Sequence, residues 1–316
     1  MASRTATRAA RALSSDTRLR RILQALAARS GGLSVHSVFT HVINFLTPDG
    51  RLVTFASGGL DDAPWTLRAD LPDWAGFPVV AGESVRVTPS SVVLADGAVL
   101  LEGWRGAEPW EPSPLPAADD AGPPELLEAL QDWIARHGVP GGMLAAVGAN
   151  SFEAAVQARL GEASASLSEA LIWYSKTGRA DFLDPELLDR AILGLVGLGA
   201  GLTPSGDDHL CGVALVAARP GSRLSGVGGR LLAVLDAYPE RTTDVSEATL
   251  REAAEGRARQ SLLDLLAGLT AVVPGDVDPL EHLRPLLVQV LGIGRTSGTD
   301  ILSGLLAGLR AEWALR

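Results

Sequence analysis

Cysteine is almost missing from these 316 residues, with Cys211 standing alone. A single thiol excludes an intramolecular disulfide and a cysteine-based zinc site, and it fits a reducing compartment. Positive charge is also short: 27 Lys plus Arg face 37 Asp plus Glu, a net charge of −10, and Lys176 is the one lysine. Nucleic acid is therefore not an expected partner, because phosphate neutralisation requires a basic face. Long apolar runs are absent as well. Nothing approaches the roughly 18 consecutive apolar residues of a membrane helix, so no membrane partner is expected. The basic opening, residues 1–11, leads into no apolar secretory core. The expectation is a cytoplasmic protein.

What is plentiful is aliphatic surface. Some 47% of residues are hydrophobic and 20% charged, enough for a sizeable core and unlike a disordered tether. At roughly 150 residues per domain the length suggests two domains, and the pattern changes along the chain. Residues 1–32 read as an arm and a helix capped at Ser14 or Ser15, with Leu19, Ile22, Leu23 and Leu26 on one stripe. Residues 33–105 read as a β domain. A β-branched run from Val35 to Ile43 comes first, then a Pro48-Asp49-Gly50 turn before residues 52–55. An alternating run at 84–88 follows, then a hairpin of residues 91–94 and 99–101 about Asp96-Gly97. Short strands with tight turns predict a small barrel or sandwich.

Six prolines crowd residues 106–124, which excludes a helix interior or a central strand and suggests a linker. Residues 125–316 read as one larger α-helical domain. Predicted helices cover 124–137, 151–160, 164–177, 185–196, 206–218, 226–237, 245–270, 279–291 and 298–312. Gly138 and Gly161 are expected stops, Asn150 and Ser205 expected caps, and Gly256 and Gly268 suggest that 245–270 is two helices. The fold class is α+β.

Two helix starts depart from ordinary core helices. Residues 197–212 and 292–304 each place a Gly-x-Gly loop before Ser-Gly-x-Asp-x-Leu-x-Gly, 92 positions apart, a weak internal pseudo-repeat. Glycine admits positive φ and the close approach of a ligand. Ser205 and Ser297 stand where caps belong, and first-turn N–H groups point outward with the helix dipole. Phosphate or carboxylate is the natural guest of such a start. The plain alternative is structural: the loops permit close helix packing, and Asp207, Asp208 and Asp300 merely suit the dipole.

The lysine of a Walker loop and the third glycine of a dinucleotide fingerprint are both missing, so nucleotide binding of those kinds is disfavoured and no cofactor is predicted. Asp207, Asp208 and His209 with Asp300 make a metal-like group on paper. Adjacent helical residues, however, point about 100° apart, and no second histidine has ligand spacing, so no metal is predicted. Cys211 reads as a packing residue, and Lys176 as a cation suited to a helix end.

The string Gly199-Ala200-Gly201-Leu202-Thr203-Pro204-Ser205-Gly206-Asp207-Asp208 resembles the signature of the AllH-like family. The resemblance continues at Ser37-Val38-Phe39 with Asn44, at Thr242-Thr243-Asp244-Val245-Ser246, and at Gly294-Arg295-Thr296-Ser297-Gly298-Thr299-Asp300. The family includes a subunit of oxamate carbamoyltransferase. The resemblance implies an enzyme, or a subunit of one, that transfers carbamoyl or acyl groups with a small anionic substrate such as an oxamate- or carbamoyl phosphate-type compound. Ser205, Asp208 and Asp300 are then the expected catalytic residues, with the carboxyls orienting a nucleophile or accepting a proton. Thr203 and Ser297, with the helix N–H groups, would stabilise charge at a tetrahedral centre, and Arg295 would pair with a carboxylate. Gly201, Gly206, Asp207, Thr242, Thr243, Ser246, Thr296 and Gly298 complete the expected substrate-binding set. The rival expectation is a non-catalytic anion- or metabolite-binding subunit of a multi-protein complex. Either way, the implied partners are a small anionic substrate and other carbamoyltransferase subunits.

Overall fold

The structure, a computed structural model, describes residues 9–118, 124–177, 185–272 and 278–314. The chain divides into two compact units, Met1–Pro112 and Ser113–Arg316. In the first unit the strands are β1 (Ala10–Asp16), β2 (Gly32–Val38), β3 (Val42–Leu46), β4 (Leu52–Ser57), β5 (Thr66–Ala69), β6 (Ser84–Val87), β7 (Ser91–Leu94), β8 (Val99–Glu102) and β9 (Glu108–Trp110). Their order β5-β4-β3-β2-β6-β7-β8-β1 closes through an antiparallel β1–β5 pair, and β9 adds to β1 outside the ring. Of the two architectures expected, the barrel is the one formed. Alternation builds it: in β6, Val85 and Val87 are buried while Ser84 and Arg86 face solvent. Ile43, Phe45, Val53, Phe55 and Leu67 are wholly buried in the core, with the Phe45 and Phe55 rings 4.6 Å apart. Helix α1 (Thr17–Ala28) adds Leu19 and Leu23 to the same core.

Three of these strands were not expected: β1, β9, and β5, which falls inside the expected β domain but in none of its predicted strands. Residues 10–16 form β1 instead of leading into a helix, and the cap of α1 is Asp16, which accepts from the Arg18 N–H at 2.8 Å. The β1 sequence holds no β-branched residue, so local preference does not reveal it. Its pairing with β5, β8 and β9 does. The proline-rich segment contributes β9, where Pro109 is tolerated because that strand pairs with β1 alone. Pro123 and residues 1–8 lie outside the described residues.

The second unit is helical: α2 (Pro124–His137), α3 (Ser151–Thr177), α4 (Pro185–Leu195), α5 (Ser205–Ala217), α6 (Val227–Ala237), α7 (Asp244–Ala254), α8 (Gln260–Thr270), α9 (Arg284–Leu291) and α10 (Ser297–Trp313). Asn150 caps α3, accepting from the Phe152 and Glu153 N–H groups at 3.0 Å each while Glu153 accepts from the Asn150 N–H. Gly161 does not stop a helix. It faces open space, and Leu160, Ala163, Leu167 and Leu171 carry the buried stripe of α3 straight through it. Tertiary burial here outweighs the roughly 1 kcal/mol disfavour of an internal glycine. The 245–270 run is indeed split, with Gly256 at φ 74° between α7 and α8. Among the described residues no helix is long and apolar enough to cross a membrane.

Helix α5 is the axis of this unit, buried at every residue from Ser205 to Ala217. It crosses α10 with backbones in contact. A Cβ at Gly212 would overlap the Ile301 carbonyl oxygen, and one at Gly304 would overlap the His209 carbonyl oxygen. Each glycine thus faces the carbonyl three residues before the other. Gly304→Ala is expected to cost about 2–3 kcal/mol by overpacking. Gly229→Ala, on an exposed face of α6 with nothing near its missing side chain, should gain about 0.5–1 kcal/mol. Urea denaturation of both variants checks this; a neutral Gly304→Ala would rule out backbone contact at the crossing.

Candidate functional site

The crossing brings the two glycine-rich helix starts together. Thr203 Oγ1 and Ser297 Oγ lie 3.0 Å apart, although 94 residues separate them in sequence. The Ser297 and Thr203 hydroxyls lie beside Asp208, and the Ser205 and Thr296 hydroxyls beside Asp300, where each favours the charged carboxyl. Each carboxyl therefore has the serine of the opposite helix start as a neighbour. The loops reach this arrangement through left-handed glycines, Gly199 at φ 123° and Gly294 at φ 56°. Gly206 and Gly298 press against the Leu195 and Val290 carbonyls, where a side chain would not fit.

A segment that sequence reasoning did not single out lies over Asp300. In the connection between α2 and α3, the Met143 N–H donates to Asp300 Oδ1 at 2.6 Å and the Val139 N–H to Thr299 Oγ1 at 2.8 Å. The bare face of Gly142 lies against the Asp300 carboxyl and Ser205 Oγ. The signal in the sequence was Val139-Pro140-Gly141-Gly142, which marks a turn and names no chemistry.

Both carboxyls are dry. Asp208 is 4% exposed and Asp300 0%, and neither Asp208 Oδ2 nor Asp300 Oδ2 accepts a hydrogen bond among the described residues. Burial pushes Asp208 up to about 7, against the opposing effect of the Ser297 and Thr203 hydroxyls and with added repulsion from Asp300. Burial likewise raises Asp300, opposed by the Met143 N–H and the Ser205 and Thr296 hydroxyls.

The helix starts differ from expectation: Ser205 and Ser297 are the first helical residues, after Pro204 and Thr296, and neither start has a side-chain cap. Gly206 donates to the Leu198 carbonyl at 2.8 Å, and Asp207 and Asp208 donate to Pro204 at 2.9 and 3.1 Å. Gly298 donates to Ile293 at 3.1 Å and Asp300 to Thr296 at 3.0 Å. The tight loops fold their own carbonyls back onto the helix starts, so these five donors do not stand free for an anion. Carboxyl and hydroxyl oxygens gather there instead.

The remaining expected residues fall around this centre. Asp207 accepts from the Gly197 N–H at 2.8 Å and from the Thr242 hydroxyl, with the Ser246 hydroxyl close by, tying the first glycine loop to the start of α7. Burial still raises its pKa. Thr243 caps α7 by accepting from the Ser246 N–H, and its hydroxyl donates to the Leu202 carbonyl at 2.5 Å. Gly201 and Arg295 are exposed, Arg295 beside Gly141.

His209, which the sequence offered only as a doubtful metal ligand, is fully buried. Its Nδ1 lies 2.8 Å from Ser303 Oγ and its Nε2 3.4 Å from Ser164 Oγ. Burial lowers its pKa to about 4, so the ring is neutral. It lines a cleft of about 390 Å³ with Ser164, Ser168, Ser303 and Arg310. Cys211 is buried, its thiol pushed up to about 12, and therefore inert. Among the described residues no group of three or more His, Cys, Asp or Glu side chains is placed to hold a metal.

The family described as oxamate carbamoyltransferase subunit AllH matches residues 195–309, and the AllH family N-terminal domain matches residues 11–105. The chain belongs to the AllH family. The AllH N-terminal domain match spans strands β2 to β8 and most of β1, and the subunit match holds every expected site residue from Gly201 to Asp300. Gly142 and Met143 lie outside both matches. No solved structure matches the chain.

The raised Asp208 carboxyl makes a pH prediction. The folded state holds this proton more tightly than the unfolded chain, so its contribution favours folding in acid. That contribution is lost as pH climbs from about 4 through about 7. Asp208→Asn removes the titration. Its Tm should exceed that of the wild type at pH 8, and the margin should shrink towards pH 4. A margin independent of pH, measured by differential scanning fluorimetry, would contradict a buried carboxyl at this position.

Proposed function

We propose that this AllH-family chain is a carbamoyltransferase subunit whose chemistry takes place at Asp208 and Asp300, with a small anionic substrate of oxamate or carbamoyl phosphate type. One observation carries this reading. Two helix starts bring two buried carboxyls together, each with an oxygen that no donor among the described residues fills. The family description supplies the reaction class.

In carbamoyl transfer, an acceptor nitrogen bonds to the carbamoyl carbon, the leaving group departs with its electron pair, and the nitrogen gives up a proton. A carboxyl poised near 7 suits that proton, because a general base works best near the operating pH. Asp208 is the base in this reading, and Asp300 orients the nucleophile. Ser205, Ser297, Thr203 and Thr296 fix the two carboxyls. Arg295, exposed at the rim, supplies the counter-charge for a substrate carboxylate. Gly201, Gly206 and Gly298 shape the backbone around the ligand. Asp207, Thr242, Thr243 and Ser246 hold the first glycine loop in place. The chain works with other carbamoyltransferase subunits, in keeping with the family description, and its single buried thiol suits the cytoplasm.

In a carbamoyl-transfer assay of the assembled subunits, Asp208→Asn and Asp300→Asn should each lower kcat/KM by about 100-fold or more. Arg295→Ala should raise KM about tenfold, roughly 1.4 kcal/mol, with kcat retained. Wild-type rates in both asparagine variants would refute the assignment. Calorimetric binding without turnover in any assembly would favour a non-catalytic binding subunit.

A further inference from the structure

A buried acceptor left without a donor loses about 1–3 kcal/mol, and more when charged. The site holds two such acceptors, Asp208 Oδ2 and Asp300 Oδ2. The backbone donors that could have served them go elsewhere, to the carbonyls of Leu198, Pro204, Ile293 and Thr296. The centre therefore presents acceptors to a ligand. Phosphate, or the second carboxylate of a dicarboxylate, would set its own oxygens against them. A group bearing N–H bonds would complete them.

The protein already makes one bond of this kind. The Met143 amide N–H meets Asp300 Oδ1 at 2.6 Å, a short, charge-assisted geometry. A metal ion is a poorer guest, since no third His, Cys, Asp or Glu joins the pair among the described residues. Burial pushes Asp208 up to about 7, so above that pH both orphan oxygens are acceptors, whereas below it the Asp208 proton would itself act as a donor.

We infer that Asp208 and Asp300 recognise an N–H-donating head, the planar NH2 of an amide or carbamoyl group, and thereby separate such a substrate from its oxygen isosteres. This specificity rests on the function proposed above. The substrate class it defines is two-ended, with an amide-type nitrogen at the carboxyl pair and a carboxylate towards Arg295. Oxamate has that form. Oxalate differs by one exchange, an oxygen in place of the NH2, and puts an acceptor where the site needs a donor. A site built to bind a substrate N–H rejects an analogue lacking it far more strongly than an apolar pocket rejects a size change.

The experiment is titration calorimetry of the full chain with oxamate and with oxalate at pH 8, where Asp208 is mostly ionised. Oxamate is expected to bind about 100-fold or more tightly than oxalate. Asp208→Asn and Asp300→Asn, each confirmed as folded by its melting curve, should narrow that ratio by giving oxalate a donor. The wild-type ratio decides the matter even if a variant does not fold. Equal binding of the two, weakened by Arg295→Ala, would overturn donor recognition and leave the proposed function standing. No binding of either, or binding indifferent to Asp208, Asp300 and Arg295, would overturn both.

Discussion

Gly212 and Gly304 let the backbones of α5 and α10 touch, and everything at the candidate site depends on that contact. A side chain at either position would drive the helices apart. The Ser205 hydroxyl beside Asp300 and the Ser297 hydroxyl beside Asp208 would then be drawn away. Because α5 is buried on every side, the surrounding helices fix it and leave little freedom for adjustment. Close packing makes the site rigid. It also explains why small residues recur in both helices, where larger apolar side chains would bury more surface.

The two carboxyls are the electrostatic counterpart of that rigidity. Burial raises both, and each keeps an oxygen with no donor among the described residues. For stability alone, an apolar residue at either position would serve better. Natural chains retain such conflicts where a ligand resolves them. Asp207 makes the comparison direct. It adjoins Asp208 in sequence and is as deeply buried, yet the Gly197 N–H and the Thr242 hydroxyl satisfy it. One aspartate braces a loop, while its neighbour faces the centre.

Much of the fold was legible because it follows from local chemistry. The hairpin about Asp96-Gly97 follows from a glycine that readily takes φ 89°. The cap at Asn150 and the break at Gly256 follow from equally local preferences. The barrel's closure was not legible. Strand β1 has no β-branched residue and exists because β5 and β8 present open edges, and β9, outside the ring, contains a proline and exists because β1 offers it an edge. Gly161 misled for a related reason: a glycine that faces open space in a helix whose one buried stripe runs on past it breaks nothing.

The sequence by itself determined the two helix starts, their spacing, and the residue types able to carry acid–base chemistry, because caps, glycines and aliphatic stripes act over a few residues. It also determined the family, through the Thr-Pro-Ser-Gly-Asp-Asp string. Only the tertiary structure decided that the starts meet, that Met143 covers Asp300, and that the helix N–H groups turn to the protein's own carbonyls. Those facts concern groups far apart in the chain or the path of a whole loop. Burial, which sets the charge on Asp208, belongs to the packed helices around a residue and not to the residue itself.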